Sequence, residues 1–182
     1  PVPDAGLRPG DRLVVTGTLG DHGFAVLVAR EELELEGDLV SDVAPLGELV
    51  ARALEAVGDD LVAMKDPTRG GLAGALHEMA GKSGVGVVLD ERALPLRDEV
   101  RAASELLGID PLHVANEGKA VLGVAPDRTD ALLEALHGHP LGREAAVIGT
   151  CVAAHPGSIV VDTGIGRRLL DEAVGDPLPR IC

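Results

Sequence analysis

Apolar positions recur along this chain with two distinct periods. Leu46, Leu49, Val50, Ala53, Leu54 and Val57 fall on one helical face and predict an amphipathic helix. Thr68 can cap a second helix with Leu72, Leu76 and Met79 on one side. Val100, Ala103 and Leu107 mark a third, stopped by Gly108. A fourth covers residues 130–137 and ends before Gly138 and Pro140. Stretches 12–18, 61–64, 85–89, 120–124, 146–152 and 159–161 read as strands. The continuous apolar run at 23–29 does not decide between helix and strand by periodicity.

Helices therefore alternate with strands, except that the last two strands are nearly adjacent. That order favours an α+β fold, a mixed β-sheet with helices packed on it. Residues 1–10 (PVPDAGLRPG), with three Pro and two Gly, read as a linker. A domain is expected over 11–170. From about Thr163 the pattern weakens, and 171–182 reads as a mobile tail.

Composition narrows the function. A length of 182 residues suits one domain with tails. Phe24 is the one aromatic residue, so the core must be built from Leu, Val, Ile and Ala, and no platform exists for stacking bases. A net charge of −14 opposes nucleic acid and a polybasic membrane contact. No apolar run reaches membrane-spanning length. The chain starts at Pro1 rather than Met, which points to a processing or cloning boundary. Two cysteines, Cys151 and Cys182, with no CxxC pair and with scattered histidines, argue against a structural zinc site and for a cytoplasmic protein. No metal ligands are expected within this chain.

Several short motifs could carry chemistry. Asp66-Pro67-Thr68-Arg69-Gly70-Gly71 follows a strand and opens a helix. Successive glycines let backbone N–H groups approach an anion, and Arg69 could pair with it. The plainer account is a capped turn whose glycines permit close packing. Gly20-Asp21-His22-Gly23 offers acid–base groups or, more simply, a turn. In Asn116-Glu117-Gly118-Lys119, Glu117 could project into a cleft as a base, or Glu117 and Lys119 could simply sit in water. Ser41-Asp42 reads as an entry turn to the first amphipathic helix, and Cys151 as a small buried residue. At the terminus, Pro177 and Pro179 stiffen an arm that carries Cys182 roughly 22–25 Å from Asp176.

Together these motifs resemble the NiFe-hydrogenase maturation factor HypE family. The terminal Pro179-Arg180-Ile181-Cys182 is its most specific signature, and GDHG, SD, DPTRGGLA and NEGK stand in the family's order. The resemblance covers nearly the whole chain from Gly10 onward. It implies the C-terminal domain of the aminoimidazole ribonucleotide synthetase-like fold, partly ferredoxin-like. It also implies an ATP-dependent carbamoyl dehydratase. A carbamoyl group loaded onto Cys182 by the carbamoyltransferase HypF would be dehydrated to a thiocyanate, and the cyanide passed to the HypC–HypD complex. By the same resemblance Cys182 and Glu117 are catalytic. Asp66, Thr68, Arg69, Gly70, Gly71 and His22 would bind the nucleotide. Mg2+ and most of the ATP site would belong to an N-terminal domain that also makes the intact protein a homodimer. Lys65 stands where many relatives carry Arg. Two alternatives stay open: a carrier domain that only presents Cys182, and a superfamily relative acting on a purine intermediate or selenide. The terminal PRIC speaks against the last.

Overall fold

Strand β1 (Arg12–Val15) is buried on both faces, and the rest of the fold is arranged around that fact. The computed structural model describes residues 1–30 and 38–172. Val14 belongs to one apolar cluster with Leu49 and Ala53 of α2 (Gly47–Val57) and with Leu132 and Leu136 of α5 (Thr129–His137). Leu13 and Val15 point the other way, into a cluster with Leu72, Leu76 and Met79 of α3 (Gly71–Ser83). A third cluster joins Phe24 and Leu27 of α1 (Asp21–Arg30) to Val100 and Ala103 of α4 (Asp98–Leu107) and to Val114.

The remaining strands are β2 (Leu61–Lys65), β3 (Gly86–Asp90), β4 (Val121–Val124), β5 (Ala146–Val152), β6 (Ile159–Asp162) and β7 (Arg167–Leu170). With β1 they form, among the described residues, one seven-stranded sheet in the order β2-β4-β1-β5-β3-β6-β7. Among the described residues, only the β3–β6 pair is parallel. This is the mixed sheet with helices that the alternation predicts, and the fold class is α+β. Residues 1–10 run beside the edge strand β2, where Pro3 O accepts from Met64 N at 2.8 Å and Leu7 is buried in the core. Lys65 pairs with Asp4 at 3.5 Å and Glu78 at 3.0 Å, so its charge ties this segment to α3.

Three local outcomes differ from, or complete, the sequence reading. The undecided run at 23–29 is helical, as α1. Thr68 does not cap α3: its hydroxyl donates to Asp66 Oδ2 at 2.6 Å, and the cap position is Gly70, in the left-handed region at φ 69°. Strand β7 has no counterpart in the apolar pattern. It is a four-residue edge strand, RRLL, in which Leu170 is buried and Leu169 is exposed, and such an edge needs charge more than alternation. Among the described residues no helix is long and apolar enough to cross a membrane. The expectations for Cys182 and most of the tail fall on residues 173–182, outside the described residues.

Cys151 lies within β5 at 1% exposure, and burial, with a smaller push from Asp11, raises its thiol to about 12. At pH 8 its thiolate population is then on the order of one in ten thousand. Alkylation of the native chain with iodoacetamide should spare Cys151, and denaturant should expose it. Peptide mapping of the labelled protein checks this.

Candidate functional site

Asn116 is 1% exposed and uses its amide in full. Its Oδ1 accepts from Gly20 N at 2.7 Å, and Nδ2 donates to Val114 O at 3.0 Å and to Pro67 O at 3.5 Å. Its own N donates to Pro67 O at 3.1 Å. One buried side chain thus holds the start of α1 and the 66–70 turn against the segment leading into β4. Gly23 N adds a bond to Ala115 O at 3.1 Å. Gly71, at φ 61°, lets α3 begin against this segment: a Cβ there would lie 2.6 Å from Leu112 O and 2.7 Å from Val114 O. Close packing, the plainer reading, is therefore observed at Gly71.

Asp42 makes a second bracket. Its Oδ1 accepts from Glu117 N at 3.2 Å, and its Oδ2 accepts from Lys119 Nζ at 2.9 Å. The two side chains are 5% and 11% exposed. Losing one partner of so buried a pair typically costs about 3–5 kcal/mol. Gly118 allows the approach, since a Cβ would fall 1.8 Å from Asp42 O. Lys119 therefore does not sit in water, because a carboxylate from the 41–42 turn draws it inward. Ser41-Asp42 is more than an entry turn: its backbone and side chain clasp the NEGK loop, and Ser41 Oγ lies 2.8 Å from His22 Nδ1.

Four motifs scattered over a hundred residues of sequence thus meet in one place. Glu117 has its backbone fixed by Asp42 and its side chain exposed. Arg69 is exposed, and its guanidinium makes no ion pair among the described residues. The first turn of α3 has no side-chain cap, so its N–H groups are not occupied by one. Asp66 is committed to Thr68, and His22 to Ser41. Asp42, Lys119 and Asn116 stand in motifs the sequence singles out, but their role as framework residues is not legible there, because it depends on contacts from distant segments.

Asp21 is the unusual member. Its Oδ2 accepts from the Thr18 hydroxyl, but its buried Oδ1 has no hydrogen-bond partner among the described residues. The nearest cation is Arg97 Nη1 at 3.9 Å. Burial raises its carboxyl above the usual range. The Thr18 hydrogen bond and the charges of Lys119 and Arg97 act against that, and Asp42 adds to it. Its place at the start of α1 should favour the anion, yet desolvation prevails. Among the described residues no three His, Cys, Asp or Glu side chains gather as metal ligands.

Residues 8–162 match the family described as AIR synthase related protein, C-terminal domain, and the chain belongs to that family. Within it the chain is similar to HypE, as its motifs suggest. It is 51% identical over 176 residues to the carbamoyl dehydratase HypE of Rhizobium leguminosarum bv. viciae, covering 96% of this chain and 50% of that protein. A structure of the hydrogenase maturation protein HypE in complex with ATP superposes with a TM-score of 0.91 at 38% identity, over 97% of this chain and 54% of that one. A chain of a HypE–HypF complex gives 0.90 at 39% identity, over 94% and 56%. The chain spans about half the length of the curated relatives it matches.

Asp21→Asn is expected to keep the fold and to gain stability on the order of 1 kcal/mol at neutral pH. The raised folded-state pKa sets the sign. Wild type carries its penalty above that value and sheds it as the pH falls towards the unfolded-state value, so the gap should close with acid. Asp4 and Glu78, held low chiefly by hydrogen bonds from Lys82 and Lys65 respectively, and Asp11, raised by burial, are present in both proteins and cancel. Urea melts of the pair between pH 4 and 7.5 check it; a pH-independent gap contradicts the assignment.

Proposed function

We propose that this chain is the C-terminal half of an ATP-dependent carbamoyl dehydratase of the HypE type. The observation that carries the reading is the convergence of the GDHG, SD, DPTRGG and NEGK segments on Asn116 and Asp42, with Glu117 and Arg69 left free at the surface of that cluster. The carbamoyl dehydratase relatives support it.

In this reading a carbamoyl group rides on the Cys182 thiol as a thiocarbamate. Its amide oxygen is a poor leaving group. Transfer of the γ-phosphoryl group of ATP to that oxygen makes it one that departs as phosphate. Two N–H protons leave the nitrogen, a C≡N bond forms, and Cys182 is left as a thiocyanate with ADP and phosphate as the other products. Glu117 is the base for an N–H proton. Arg69, with the Gly70 and Gly71 amides at the head of α3, faces the phosphates. Thr68 and Asp66 shape that turn, and His22, held by Ser41, borders it. Mg2+, most of the nucleotide contacts and a homodimer interface belong to the N-terminal half.

HypF, which loads the thiol, is a partner in keeping with the solved HypE–HypF complex, and the HypC–HypD complex receives the cyanide, in the cytoplasm. Because the chain spans about half of its relatives, by itself it acts as a carrier that presents Cys182 and does not turn over ATP.

In the intact protein, Glu117→Gln should accept the carbamoyl group on Cys182 but form thiocyanate about 10²- to 10⁴-fold more slowly. Mass spectrometry of the tail distinguishes the two adducts, and dehydration at the wild-type rate excludes Glu117 as the base. Arg69→Ala should weaken ATP use about ten- to hundredfold, the loss of one charged hydrogen bond, without lowering the melting temperature. Steady-state ATPase kinetics and a thermal melt test that separation.

A further inference from the structure

Glu117 stands on a loop that other segments hold at several points. Asn116 N donates to Pro67 O, and Lys119 Nζ donates to Asp42 Oδ2. Ala120 N donates to the hydroxyl of buried Thr16 at 3.0 Å. Among these anchors Asp42 is the one that holds the peptide of Glu117 itself, through its Oδ1. Asp42 comes from residues 38–46, which form neither helix nor strand. Burial along this stretch is inverted: Val40 and Val43 are exposed, while the carboxylate between them is buried. Apolar burial is favourable and carboxylate burial is costly, so packing alone would select the opposite pattern. What Asp42 bonds to places the stretch, and its carbonyl, packed against Gly118, fixes the spacing of the two segments.

We propose that Asp42 is a positioning residue for the dehydration, whose Oδ1 fixes the peptide of Glu117 and with it the direction in which the Glu117 carboxylate meets the N–H proton. The proposal rests on the dehydratase reading above. The Glu117 side chain is exposed, so it takes its direction from its backbone rather than from packing. A base must lie within hydrogen-bond reach of the proton it removes, and a misplacement of about 1 Å can cost about a hundredfold in rate. Lys119 acts one step further out. By taking Oδ2 it keeps Oδ1 turned towards Glu117 N, and its charge cancels that of Asp42, so the acceptor is supplied without adding net charge beside the base.

The test uses the intact protein and two double variants, neither of which strands a buried charge. In Asp42→Asn with Lys119→Gln, the introduced amide can accept from Glu117 N and donate to the glutamine. In Asp42→Ala with Lys119→Gln, the acceptor for Glu117 N is gone. Both proteins should still take the carbamoyl group on Cys182. In single turnover with ATP, the Asp42→Asn protein should form thiocyanate within about threefold of the wild-type rate and the Asp42→Ala protein about ten- to hundredfold more slowly, with the same dependence on ATP concentration. Amide hydrogen exchange at Glu117, followed by mass spectrometry, should be at least about tenfold slower in the wild type and the Asp42→Asn protein than in the Asp42→Ala protein.

Equal dehydration rates in the two variants, both fast or both slow, overturn the proposal. So does unprotected exchange at Glu117 in the wild type, a result that requires no variant to fold. A wild type that carries the carbamoyl group but forms no thiocyanate with ATP defeats the dehydratase reading, and the positioning role with it, even where Glu117 N is protected.

Discussion

The amide of Asn116 is the interaction on which the site depends. It is buried, and it presents one acceptor and two donors to three backbone groups from separate stretches of chain: Gly20, Pro67 and Val114. Aspartate could not donate to the two carbonyls, and leucine could offer neither function. In a low-dielectric interior the loss of such an amide also strands its partners, at about 1–3 kcal/mol for each unsatisfied group. The same network holds the segment that carries Glu117 and the 66–70 turn together, so stability and the geometry of the cluster share one residue.

Charge in this region is arranged against the trend of the chain. The protein carries a net −14, yet Lys119, Arg97 and Arg69 lie in and around the cluster. Lys119 hydrogen-bonds Asp42, so Asp21 keeps one hydroxyl hydrogen bond and the charges of Lys119 and Arg97, which desolvation outweighs. A carboxyl held in that condition costs stability at neutral pH. Proteins commonly retain such costs near functional sites, where a well-packed apolar substitute would be more stable.

Helix α3 connects the clustered motifs to the last strand. Its first residue, Gly71, packs on the 112–114 backbone, and His77 lies six residues on, about 9 Å along the axis. One rigid element therefore faces the 66–70 turn at its head and holds the last strand along its length. The 110–117 segment repeats the pattern, with His113 and Asp110 towards β7 and Asn116 and Glu117 towards the site.

Much of the fold was legible in the chain because burial imposes a period. The strands at β1 to β6 and the helices α2 to α5 follow from apolar spacing, and the terminal PRIC with the ordered internal motifs pointed to the family. What spacing left open was decided by tertiary contacts. The run at 23–29 became a helix where Phe24 and Leu27 found α4. Strand β7, two arginines and two leucines, became a strand because β6 offered it an edge. Thr68 looked like a cap, but Asp66 took its hydroxyl and Gly70 took the turn. Lys119 looked solvated until Asp42, 77 residues away in sequence, reached it. Periodicity records how much of a residue is buried. The partner a polar group meets is set by segments far along the chain, and only the folded structure brings them within hydrogen-bonding distance.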